Sequence, residues 1–106
     1  RARAQRILQG VASGCSELAR QAMREREHAA AADLLEMAVL IRPERPQAHF
    51  ELARARGTLG DRKRALAALE AAVAAGFQDA ARLRTEPAFA KLRQDTAFLA
   101  LLAKME

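Results

Sequence analysis

The chain has no tryptophan, no tyrosine, one cysteine and only three prolines in 106 residues. A single cysteine excludes an internal disulfide and a cysteine-based zinc site. Its one thiol suits a cytoplasmic compartment and fits a bacterial periplasm as well. No uninterrupted apolar run reaches the ~20 residues of a membrane-spanning helix. Basic, apolar and cleavage regions do not follow one another, so no signal peptide is legible. The first residue is Arg1 rather than Met, and the chain reads as a domain excised from, or processed out of, something longer. Few β-branched residues, five glycines and few turn formers leave little from which to build a sheet.

What is present in abundance is alanine, the commonest residue by a wide margin, in a chain that is 51% hydrophobic and 29% charged. That is the composition and length of one small helical domain with a modest core. Apolar residues recur at helical spacing almost throughout. Ile7, Leu8, Val11, Cys15, Leu18, Ala19, Ala22 and Met23 form one expected inward face, interrupted at most by Gly10 and Gly14. A second helix is expected over residues 29–41. The stretch Arg42-Pro43-Glu44-Arg45-Pro46 breaks it, and Pro46 suits the first position of the next helix. That helix runs to about Leu59, where Gly60-Asp61 supplies a left-handed stop and a new N-cap. Residues 62–75 form the fourth helix, ended by Gly76. Beyond it, residues 80–84 read as a short helical turn. Thr85-Glu86-Pro87 reads as a helix start capped by the threonine hydroxyl, with Phe89 and Leu92 inward. Asp95 or Thr96 caps a last helix carrying Phe98, Leu99, Leu101 and Leu102.

Sliding the chain along itself until Leu18 meets Leu52 superimposes two helical hairpins. Leu18-Ala19 falls on Leu52-Ala53, Ala31 on Ala65, Leu35 on Leu69 and Ala38 on Ala72, with Cys15 on His49. Small residues at helix crossings let backbones approach, and leucines fill the space beside them. With Gly60-Asp61 at one turn and Pro43 closing the first unit, this pattern resembles the tetratricopeptide repeat (TPR) family. The resemblance covers residues 12–79, as repeat one (12–45) and repeat two (46–79). It departs from the family at Cys15 and His49, where a tryptophan is usual, and at Ala22 and Arg56, where an aromatic is expected. Arg26-Glu27 stands where Gly-Asp is usual, and Phe77 where the second closing proline is. Residues 80–106 resemble the capping tail of bacterial TPR regions, and hold Phe89 and Phe98 next to Phe77. Residues 1–11 are expected to cap the other end or to be the second helix of an upstream repeat. The fold expected is all-α: TPR-like antiparallel hairpins stacked as a short right-handed solenoid with capping helices.

No catalytic constellation is visible, and no cofactor or metal is expected. His28 and His49 have no second ligand at metal spacing, and no glycine-rich phosphate loop exists. Cys15 reads as a small buried hydrophobe, set against a reactive thiol. In a TPR array the first helix of each repeat lines a concave groove. The resemblance therefore implies partner-binding positions at Ser16, Arg20, Met23 and Arg24 in repeat one, and at Gln47, Phe50, Arg54 and Thr58 in repeat two. Arg20 and Arg54 are equivalent by the shift, and beside an exposed Phe50 they would suit an acidic peptide with an apolar anchor. The bland alternative is that these arginines form a solvated face.

The net charge of +5 first points to nucleic acid. Residues 1–11 alone carry +3, however, and the body is nearly neutral and mixed in sign. Nucleic-acid binding wants a contiguous basic stripe, whereas the run Arg62-Lys63-Arg64 is short, flanked by Asp61, and reads as a solvated turn face. The function expected is a non-catalytic protein–protein interaction module that takes a peptide or partner domain in its groove. Self-association through the terminal helices is the alternative, then a non-catalytic appendage of a larger enzyme.

Overall fold

The computed structural model describes residues 2–105, and for residues 2–6, 8 and 9 the backbone alone. The described residues form six α-helices and one 3-10 helix, with no strand among them. Helix α1 spans Ala2–Arg24, α2 His28–Ile41, α3 Pro46–Thr58, α4 Arg62–Ala74 and α5 Ala80–Thr85; a 3-10 helix Pro87–Leu92 and α6 Thr96–Met105 follow. Three-residue links join α1 to α2 and α3 to α4, and each pair packs along its length as an antiparallel hairpin. The hairpins meet through α2 and α3, while the 3-10 helix lies against α3 and α6 against α4.

The turns follow from local chemistry. Helix α3 begins on Pro46, which has no N–H to leave unsatisfied. Asp61 and Asp79 cap α4 and α5 by accepting the backbone N–H of Arg64 and of Arg82, at 3.2 and 3.1 Å. Asp95 does the same for Ala97 at 2.9 Å. The two hairpin turns share one geometry. After α3, Gly60 (φ +84°) donates to the Gly57 carbonyl and Asp61 to that of Arg56. After α1, Arg26 (φ +62°) donates to the Met23 carbonyl and Glu27 to that of Ala22. These are the paired bonds of a Schellman stop, made at equivalent places in the two hairpins. The first of them is made without glycine, so the Arg26 side chain crowds its own backbone. Arg26→Gly is expected to raise the unfolding free energy by about 1 kcal/mol, read as a higher urea midpoint with an unchanged slope.

All six alanines at the crossing positions are buried: Ala19, Ala31, Ala38, Ala53, Ala65 and Ala72. Leu35, Leu52 and Leu69 fill the space beside them, and Cys15 packs as a small buried side chain. The end of the core is aromatic. Phe50 stacks on Phe77 at 4.7 Å between centroids, meets Phe89 edge-on at 5.8 Å, and Phe89 reaches Phe98 at 6.4 Å. All four phenylalanines of the chain thus form one cluster, with the Arg82 guanidinium 4.8 Å above the Phe50 ring.

The structure corrects two sequence expectations. Helix α1 runs unbroken from Ala2 to Arg24 through Gly10 and Gly14. Its expected apolar face splits: Ala12, Cys15, Ala19 and Ala22 are buried, whereas Ile7, Val11 and Leu18 are exposed, and the side chain of Leu8 lies outside the described residues. Leu18 and Leu52 part ways because α3 has α2 against it on the upstream side, while among the described residues no helix covers that side of α1. Thr85 does not cap the next element. It closes α5, its hydroxyl donating to the Ala81 carbonyl at 3.0 Å, and the segment after it winds as a 3-10 helix entered from Glu86.

Candidate functional site

A groove of about 280 Å³ opens between α1 and α3. Ser13, Ser16, Glu17 and Arg20 form one wall, all on α1 and spaced so that they share one face of the helix. Gln47, Ala48 and Glu51 of α3 form the other, with Arg45 at its mouth and Leu35 of α2 as the apolar floor. The same hairpin stacking that buries the crossing alanines sets these two first helices side by side.

Of the eight residues expected to line a groove, the structure brings three together here: Ser16, Arg20 and Gln47. Arg24 is exposed on the last turn of α1. Met23 is half-buried against the core, with its sulfur 3.3 Å from Nδ1 of His28. Thr58 donates its hydroxyl to the Arg54 carbonyl at 2.9 Å, within its own helix. Phe50 is fully buried and offers no apolar anchor to a partner. The reason is the C-terminal segment: Phe77 and the 3-10 helix cover the face of α3 that carries Phe50.

Arg54 is also drawn inward. Its guanidinium donates to Glu51 at 2.8 Å and its Nε lies 3.4 Å from Glu86, at the entrance of the 3-10 helix. Burial disfavours its charge, yet the bond to Glu51 and the field of Glu86 together hold its pKa above the ordinary arginine value. Arg54 therefore ties the tail to α3 and does not stack beside Arg20. Just beyond, Gly57 closes against the tail, since a Cβ there would stand 2.5 Å from the Ala88 carbonyl oxygen. The tail packs on α3 at Phe50, Arg54 and Gly57, and the groove keeps to the first half of that helix.

The groove carries both signs: Glu17 and Glu51 beside Arg20 and Arg45, with Glu51 also bonded to Arg54. Arg20 reaches Glu17 at 3.1 Å on the exposed rim, a pairing that solvent makes weak and exchangeable. Sequence reasoning misses Ser13, Glu17, Arg45 and Glu51. The helical spacing 13-16-17-20 is the available signal for the first two, because it continues the face of Ser16 and Arg20 by one turn. His49 takes a packing role, Nε2–H donating to the Pro43 carbonyl at 2.8 Å. Among the described residues no cluster of His, Cys, Asp or Glu could hold a metal ion, and no helix is long and apolar enough to cross a membrane. Comparison with protein families, with curated proteins and with solved structures finds no match.

Proposed function

We propose that this chain is a non-catalytic protein-interaction module of tetratricopeptide-like build, and that the groove between α1 and α3 receives a peptide segment. The observation that carries the reading is the groove itself. The first helices of the two hairpins present polar side chains over an apolar floor. The shared Schellman turns at Arg26 and Gly60 and the six buried alanines support the repeat register. A stacked array needs about three units for a continuous core, and here the phenylalanine-rich tail seals the open end of the second hairpin.

The mixed signs of the groove favour a polar peptide of mixed charge over a uniformly acidic one. A carboxylate would meet Arg20 and Arg45, and a donor would meet Glu17. Small apolar side chains would rest on Leu35 and Ala48.

The test is a displayed random-peptide library selected on the immobilised chain, with the recovered peptides titrated by calorimetry. Ser16→Arg combined with Gln47→Arg fills the groove from both walls and is expected to weaken binding by at least about tenfold. Arg24→Glu, outside the groove, is expected to leave it unchanged. Peptides that bind the filled variant as well as the parent chain, or a selection with no saturable binder, would overturn the reading. Arg54→Glu is unsuited to this test because it breaks the tie to Glu51 and Glu86.

A further inference from the structure

The second face of α1, opposite the groove-lining flank, has no partner among the described residues. Seven large hydrophobic side chains are exposed there and elsewhere on the described surface, and five of them lie in the first hairpin. Three, Ile7 (61% exposed), Val11 (43%) and Leu18 (55%), fall on one stripe of α1. With Gly14 they sit within an arc of about 60° on a helix of 3.6 residues per turn. Between residues 7 and 18 the only charged residue is Glu17, and that side chain belongs to the groove. Gly14 is unexplained by the fold: a Cβ there meets nothing within 4 Å, and an exposed helix interior normally disfavours glycine.

The stripe is complementary to itself. Its spacings, 7 to 11 to 14 to 18, read the same in both directions. Set against its own copy running the other way, Ile7 meets Leu18 and Val11 meets the hollow above Gly14, each contact occurring twice. A parallel copy would set Val11 on Val11 and hollow on hollow. Two-fold symmetry repeats every contact and needs only one patch.

We propose that two copies of this chain pair antiparallel through the Ile7, Val11, Gly14 and Leu18 face of α1, leaving both peptide grooves open. The pairing uses the flank of α1 that the groove does not, and stands independently of the peptide-binding reading.

The test is sedimentation equilibrium of the full chain from micromolar to millimolar concentration, with helicity followed by circular dichroism. The parent chain is expected to pass from 11.6 kDa toward twice that mass. Leu18→Glu is expected to raise the dimer dissociation constant at least about thirtyfold with unchanged helicity. Gly14→Leu adds apolar surface, so nonspecific stickiness would strengthen association. Filling the hollow that receives Val11 is expected to weaken it instead. A chain that stays monomeric throughout the range, a dimer indifferent to Leu18→Glu, or one strengthened by Gly14→Leu would each overturn the proposal.

Discussion

Phe50→Ala is expected to cost about 3–5 kcal/mol of unfolding free energy. Phe50 is fully buried and makes two ring contacts, stacked on Phe77 and edge-on to Phe89. It is the residue on which the second hairpin and the tail converge, so its removal leaves a cavity shared by α3, the α4–α5 connection and the 3-10 helix. Whole-domain stabilities run from about 5 to 15 kcal/mol, and a chain of this size falls toward the lower part. The variant should therefore sit near the edge of folding. Urea denaturation followed by circular dichroism measures the loss. Limited proteolysis should also cut the tail after residue 77 well before it cuts α1 or α2. Leu99→Ala, at an exposed position, is the matched control and should change stability by no more than about 0.5 kcal/mol. A Phe50→Ala chain as stable as that control would mean that the aromatic cluster contributes little to the fold.

Gly57→Ala should destabilise by about 1–3 kcal/mol, although glycine to alanine inside a helix ordinarily stabilises by up to about 1 kcal/mol. The sign reverses because the added Cβ would meet a backbone oxygen, that of Ala88, at 2.5 Å. A flexible side chain could move aside, but the carbonyl is fixed by the 3-10 helix, whose own position is held by buried Phe89 and Leu92. The tail must back away from α3 as a unit, lengthening the Arg54–Glu86 pair with it. Thermal unfolding of Gly57→Ala beside the parent chain measures the sign directly, and a rise in midpoint would show that the tail does not press on α3.

The repeat register is legible in residues whose fate is set locally. A small side chain recurring at the repeat interval has one use in a stacked hairpin, so Ala19 and Ala53, Ala31 and Ala65, Ala38 and Ala72 are readable as close-approach points. Gly60-Asp61 and Pro46 announce their turns for the same reason: each supplies a backbone preference that does not depend on what lies above it. Arg26 shows the limit of that logic, since the first turn adopts the glycine geometry without glycine and leaves no mark in composition. Ser16, Arg20 and Gln47 are legible as groove residues because they lie away from the tail.

Phe50 and Arg54 have the spacing of groove residues and are not groove residues, because a helical period fixes which way a side chain faces and says nothing of what arrives to cover it. That is decided by the C-terminal segment folding back along α3, a contact between parts of the chain far apart in sequence. Leu18 is the converse case: its period matches Leu52, yet among the described residues nothing covers it. The scarcities of the sequence by themselves point to a helical molecule with no internal disulfide and no cysteine-built metal site, and its alanines mark where the hairpin helices touch. Tertiary structure alone decides that the few aromatics gather into one cluster, that the tail covers half of α3, and that among the described residues one flank of α1 has no covering helix. Local propensity and spacing act within a helix or a turn, whereas burial is a property of two surfaces meeting, and only the folded chain brings both to the same place.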